Sequence, residues 1–111
     1  MATQVKKMPA AAAAERKRVL AALGQQAPKL RALGITRVSL FGSMARGDTD
    51  PNSDVDLLVE IDPQSHFSLF ELVDLQDDLQ ALLGRPAHIA FASKLRPWLR
   101  DEILQEAIPI Y

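Results

Sequence analysis

The sequence predicts a small α/β fold of the mixed α+β kind, and three observations carry that prediction. Segments with helical periodicity alternate with short β-branched runs; glycines stand at most of the joins; and one run, Val55 to Ile61, is apolar on both faces, as a strand in the middle of a covered sheet should be. With 111 residues and 48% hydrophobic content, the chain suffices for one domain with a modest core and leaves no room for a second.

From about Ala11 to Leu33, Val19, Leu20, Leu23, Ala27, Leu30 and Leu33 recur at helical spacing, while Gly24 and Pro28 predict a break or kink. Gly34 ends this helix. Ile35 to Phe41 reads as a strand, stopped by Gly42, and Ser43 to Arg46 as a single helical turn. Asp48 to Ser53 (DTDPNS) is dense in turn formers, and Asp54 to Ile61 is the second strand. Ser68 to Leu83 is the clearest helix, with Leu69, Leu72, Val73, Leu79 and Leu83 on one face and Glu71, Asp74, Asp78 and Gln80 largely opposite. After the stop signal at Gly84, Ala87 to Phe91 forms a third strand. Leu95 to Ala107 forms a last helix, with Leu99, Ile103 and Ala107 in phase and Pro97 tolerated in its first turn. The closing IPIY offers an edge strand. No internal repeat occurs, and low complexity is limited to Ala10 to Ala14.

Thirteen basic and fourteen acidic residues leave a net charge of −1, so the chain has no general electrostatic footprint for nucleic acid, and any polyanion needs a local site. The absence of cysteine excludes disulfides, thiolate zinc sites and thiol chemistry, and fits a reducing compartment. No apolar stretch is long enough to span a bilayer. Residues 1–14, with Lys6 and Lys7 before an alanine run, faintly mimic a signal peptide. Glu15, Arg16, Lys17 and Arg18 follow where a cleavage site should lie, so the expectation is a disordered or frayed start, a single domain over 15–111 and a cytoplasmic location.

The chemistry concentrates in FGSMARGDTDPNSDVDLLVEI, Phe41 to Ile61. Residues two apart in a strand share a face, so Asp54 and Asp56 project side by side and repel unless a cation of hard-oxygen preference, such as Mg²⁺, lies between them. Gly42 lets backbone pass close to a ligand, and Ser43 opens a helical turn whose N–H groups and hydroxyl can hold an anion. Were the two strands neighbours, a nucleoside triphosphate would rest its phosphates on Gly42 and Ser43 while Mg²⁺ bridges them to Asp54 and Asp56, with Arg46 as a further phosphate contact. Taken singly, a Gly-Ser pair is usually a turn with a helix cap and Asp-x-Asp a pair of solvated turn residues; the conjunction is much less common. A calcium loop from Asp48 fails, because its sixth position is Ser53 and its twelfth Val59. With no Walker lysine and no G-x-G-x-x-G, the P-loop and Rossmann readings fall away.

This stretch, with Gly-Ser followed after ten residues by Asp-x-Asp, resembles the signature of nucleotidyltransferases of the DNA polymerase β superfamily. More closely it resembles the minimal nucleotidyltransferase domains that act as antitoxins beside HEPN-domain toxins. The likeness runs from about Val19 to Tyr111 and includes LGR at Leu83 to Arg85 and LRPWLRDEIL at Leu95 to Leu104. The resemblance implies a small mixed β-sheet flanked by helices. It implies Mg²⁺, with Mn²⁺ as a substitute, at Asp54 and Asp56, and a nucleoside triphosphate, usually ATP, at Gly42, Ser43 and Arg46. It implies transfer of AMP, with loss of pyrophosphate, to a tyrosine hydroxyl of a toxin ribonuclease, in a hetero-oligomer without direct nucleic-acid binding. Where the family usually carries a third aspartate on the next strand, this chain has His88, within Ala87-His88-Ile89-Ala90. Histidine is a poor Mg²⁺ ligand, suits Mn²⁺ or Zn²⁺ better, and can serve as a general base. Activity with an altered metal preference, a slow enzyme, and a non-catalytic module that neutralises the toxin by binding all follow from that change, and a merely packed histidine agrees with the last.

A domain this small has room for a nucleotide site and little else, so a partner must present the acceptor. Phe70, Trp98 and Tyr111 are the aromatic candidates for that interface, each weighed against simple packing. Lys94, Arg96 and Arg100 read as a solvated helix face, and His66 as a loop residue without a role.

Overall fold

The computed structural model describes residues 10–47 and 53–111. Of the frayed start expected over residues 1–14, residues 1–9 lie outside the described residues, as do residues 48–52 of the expected turn, whereas residues 10–14 are helical and Ala12 is buried. Helix α1 (Ala10–Gln25) and helix α2 (Ala27–Ala32) meet at Gln26, between Gly24 and Pro28, because a proline is accommodated in the first turn of a new helix. There follow β1 (Ile35–Phe41), α3 (Ser43–Arg46), β2 (Val55–Ile61), α4 (Leu69–Leu83), β3 (Ala87–Phe91), α5 (Pro97–Glu106) and β4 (Ile108–Pro109). Each element read from the periodicity is present. Asp54, expected within the second strand, stands one residue before it, and α5 begins at Pro97 because a 3₁₀ turn at Ala92–Lys94 precedes it.

The strands lie in the order β3-β2-β1-β4. β1 pairs antiparallel with β2 and β4, while β2 and β3 run parallel across the α4 crossover, so the sheet is mixed. One face holds the core: Val38 and Leu40 of β1, Val55, Leu57 and Val59 of β2 and Ala87 of β3 pack with Val19, Leu23 and Leu30 of the first two helices and Leu75, Leu79 and Leu83 of α4. The alternation of a strand then turns Phe41, Asp56 and His88 to the opposite face. Helix α5 lies along that face without burying a single residue of its own.

The stripe of α4 differs from the one expected. Leu75, left out of the expected set, joins Leu79 and Leu83 against the sheet, and this rotates Leu69 (72% exposed) and Val73 (48% exposed) out to solvent. The helix carries more apolar residues than one stripe can hold, and the sheet accepts only one. Its start is fixed by a capping box, in which Ser68 Oγ accepts from the Glu71 amide and the Glu71 carboxylate accepts from the Ser68 amide.

Tyr111 is a packing residue. Its hydroxyl donates to the Ile35 carbonyl at 2.7 Å, and the Arg31 guanidinium lies 4.3 Å from its ring centroid. Phe70 and Trp98 are exposed, at 83% and 65%.

Candidate functional site

Strand register assembles the site. Phe41 stands opposite Asp56 in the antiparallel pair and Asp56 beside His88 in the parallel pair, so the three form a row across the face away from the core. Asp54, just ahead of β2, reaches the same corner: its Oδ2 lies 2.8 Å from His88 Nε2. The histidine thus sits next to one aspartate along the ladder and hydrogen-bonds diagonally to the other. It is an exposed side chain, which removes the reading of His88 as a packed core residue.

Gly42 closes the gap between β1 and the aspartates. Its backbone, at φ 79° and ψ −156°, lies in a region that essentially only glycine occupies. A methyl group there would strike the Asp56 carboxylate. The bare α-carbon therefore leaves backbone and carboxylate in direct contact at the start of α3, where Ser43 is half-buried and Met44 and Ala45 anchor the turn in the core. Arg46, from the same turn, pairs across to α5, with Nη1 3.1 Å from Glu106 Oε1.

Burial pushes the Asp56 carboxyl above the usual aspartate range; His88 and Arg46 oppose this and the negative charge of Asp54 adds to it. The donor set fits Mg²⁺, which binds through one or two carboxylates and takes its other ligands from phosphate oxygens and water. Among the described residues no three His, Cys, Asp or Glu side chains converge as a metal cage, so ligands from outside the protein would complete the shell. His88 beside them is a softer nitrogen donor, of a kind better suited to Mn²⁺ or Zn²⁺ than to Mg²⁺.

A second group of residues, missed in the sequence, holds the aspartates from behind. Arg85 donates through Nη1 to the Ser53 carbonyl at 2.9 Å, one residue before Asp54, and through Nε to Glu15 at 2.6 Å. Glu15 also receives Arg18, at 2.6 and 2.7 Å, and Arg18 donates to the Leu83 carbonyl at 2.8 Å. The two guanidinium groups hold the Glu15 carboxyl down at about 2. The Glu15 to Arg18 spacing is the i, i+3 pair of a helix and was open to reading. The contact with Arg85 is seventy residues away and was not. Of the remaining expected residues, His66 is exposed with no hydrogen bond among those described, and Arg100 pairs loosely with its neighbour Asp101 at 3.8 Å.

Known proteins resemble this chain in sequence and in fold. The family profile described as "Nucleotidyltransferase domain" matches residues 17–111. A protein of Methanocaldococcus jannaschii, provisionally named a protein adenylyltransferase, is 37% identical over 83 residues, which span 75% of this chain and 87% of that one. Protein adenylyltransferase MntA of Thermococcus cleftensis is 32% identical over 75 residues, 68% of this chain and 74% of its own. A solved structure provisionally described as a minimal nucleotidyltransferase superposes with a TM-score of 0.68 at 37% identity, covering 88% of this chain and 94% of that one. A crystal structure of a toxin-antitoxin with AMP-PNP reaches a TM-score of 0.64 at 16% identity over 86% of this chain and 72% of its own, a likeness of fold.

Proposed function

The chain belongs to the nucleotidyltransferase domain family, and from that premise we propose that it transfers AMP from ATP to a tyrosine hydroxyl of a cognate HEPN-domain toxin, silencing that ribonuclease as an antitoxin. The observation that carries this reading is the contact of Gly42 with Asp56, which sets a phosphate rest and a carboxylate pair side by side. In the reaction the acceptor oxygen attacks the α-phosphorus of ATP, a new P–O bond forms, the bond to the bridging oxygen of the β-phosphate breaks, and pyrophosphate leaves. Gly42, Ser43 and Arg46 hold the departing phosphates, and Asp54 and Asp56 hold the cation. The Mg²⁺ or Mn²⁺ ion that these two carboxylates would hold would supply positive charge against the phosphates. His88, at the far end of the row from Phe41, takes the proton of the attacking hydroxyl. The names of the M. jannaschii and T. cleftensis relatives support protein as the acceptor class.

One observation favours a second reading. The position beside Asp56 carries His88 where the resembled family has an aspartate, and its ring is engaged with Asp54. A catalytically weak antitoxin that silences its toxin by direct binding in a hetero-oligomer agrees with that feature. Incubating the purified protein with the HEPN-domain product of a neighbouring gene, ATP and either Mg²⁺ or Mn²⁺ separates the two. An adenylyl adduct on a tyrosine of the partner, seen by mass spectrometry, is expected. A stable complex without adduct under either metal supports silencing by binding and ends the enzymatic reading.

A further inference from the structure

We infer that the free edge of β3 receives an extended segment of the acceptor protein as an added strand, and that this segment carries its acceptor hydroxyl and a large apolar side chain three positions apart. This rests on the reading of Gly42, Asp54 and Asp56 as the triphosphate and metal site. In an in-line displacement the attacking oxygen arrives opposite the departing one. The pyrophosphate rest at Gly42 and Ser43 lies on the β1 side of Asp56, so the acceptor comes from the other end of the row, where His88 stands. β3 is the last strand on that side of the sheet, and among the described residues no strand pairs with its outer edge. A strand added there lies about 4.8 Å from β3, which lets a long side chain reach across His88 to the carboxylates.

The backbone of β3 is phased for such pairing. The Val55 amide donates to the Pro86 carbonyl at 2.8 Å, and from that start the parallel ladder ties His88 and Ala90 to β2 while the amide and carbonyl groups of Ile89 and Phe91 turn outward. The Ala87 carbonyl, of the same outward phase, accepts from Gln76 Nε2 at 3.3 Å, whereas among the described residues no hydrogen bond outside the ladder reaches Ile89 or Phe91. The edge is also undefended. β3 holds no proline and no Lys, Arg, Asp or Glu, the residues that ordinarily blunt an exposed edge, while β4 at the opposite edge is two residues long and ends in Pro109. Where β3 ends, a cavity of about 350 Å³ opens between Phe91 and the first turn of α4, lined by Phe67, Leu69 and Leu72. Strand alternation puts Phe91 on the core face and His88, three residues earlier, on the other, so a strand alongside seats one side chain in this cavity when another lies beside His88. Main-chain bonds then supply affinity and the cavity supplies selectivity, with apolar cover for Leu69, 72% exposed. A second copy of the chain fits less well, because pairing β3 with itself would close the His88 corner of both molecules.

Residue-resolved hydrogen exchange by NMR tests this on the full chain, alone and with the HEPN-domain product of a neighbouring gene. With the partner, the Ile89 and Phe91 amides should exchange at least about tenfold more slowly, while those of His88 and Ala90, already held in the ladder, should not change. Adenylylation of the partner below saturation gives a second measurement. Ile89→Pro, which removes an outward amide and no ladder bond to β2, and Leu69→Asp, which charges the cavity wall, should each slow it by about fivefold or more, with the affinity for Mg²⁺ and tripolyphosphate in calorimetry within about twofold of wild type. Ile89→Ala, which keeps the amide, should slow it less than Ile89→Pro. A complex or adduct formed without slower exchange at Ile89 and Phe91 overturns the strand assignment and leaves the proposed partner standing, as does equal slowing across residues 88–91 or wild-type transfer by both Ile89→Pro and Leu69→Asp. Slow exchange of these two amides in the protein alone, deepening with its concentration, would seat a second copy at the edge and overturn it too. Absence of both complex and adduct would end the proposed partnership, and this inference with it.

Discussion

Gly42 and Asp56 constrain each other, and each can be tested by a single atom or charge. Gly42→Ala adds one methyl group to a backbone of φ 79° that lies against the Asp56 carboxylate. Strain of this kind costs about 1–3 kcal/mol, and the variant should melt several degrees lower and bind Mg²⁺ with tripolyphosphate far more weakly. Wild-type binding in calorimetry would show that the contact is incidental. For Asp56 the sign of the pH dependence follows from its raised carboxyl. A group whose folded pKa exceeds its unfolded one gives its full stabilisation below the ordinary aspartate range, at about pH 4, and loses it as pH rises through the folded value. At neutral pH without metal, then, the ionised Asp56 weakens the fold. Asp56→Asn in the presence of a chelator should melt above wild type at pH 7, should show no such gain near pH 3, and should lose metal-dependent nucleotide binding. A lower melting temperature at pH 7 would mean that burial does not dominate at this carboxyl.

Between elements, the Glu15 network binds α1 to the end of α4 and to the residue ahead of Asp54. Glu15→Gln should cost about 1 kcal/mol at neutral pH, a value kept low because Arg18 is half exposed and the pairs are screened by solvent. Here the carboxyl is lowered, so the stabilisation is complete above 4.5 and is lost as pH falls toward about 2; the difference in melting temperature between variant and wild type should close over that interval. A gap that persists at low pH would indicate that packing, and not charge, links the helices. This is also the scale at which the sequence was most and least legible. Glycines and periodicity located every strand and helix, because those signals are local. The pair Asp54 and Asp56 beside Gly42 was legible too, since antiparallel pairing of two consecutive strands brings near neighbours in sequence together. The buried stripe of α4 was misjudged because Leu69 and Val73 fit the helical period as well as Leu75 does, and the sheet decides among them. Arg85 holding Ser53, and α5 with its two glutamates beside Phe41, depend on packing between distant segments that no local pattern encodes.

Across the whole molecule, the two faces of the sheet have separate duties. The core face gathers the large fully buried side chains, while the other carries Asp56 and His88, and α5, on that same side, has Leu99 and Ile103 only partly buried. On the proposed reading, ligand contact lies on the side of the sheet away from the main core. The strand order has a further consequence, in time. From the pairing of Phe41 with Asp56, through Asp56 with His88, to Leu40 with Ile108, the separation along the chain roughly doubles at each step, and each doubling adds about 0.6 kcal/mol to the entropy of closing the loop. The hairpin of β1 and β2 should accordingly form first, β3 second and β4 last. Pulse-labelled hydrogen exchange during refolding should find the β1 and β2 amides protected before those of β3, and the Ile110 amide, which bonds to the Val38 carbonyl, protected late. Simultaneous protection of all four strands would contradict this order. If it holds, a chain still emerging from synthesis already possesses its Gly42 and Asp56 corner, and acquires His88 only once α4 has crossed back to lay down the third strand.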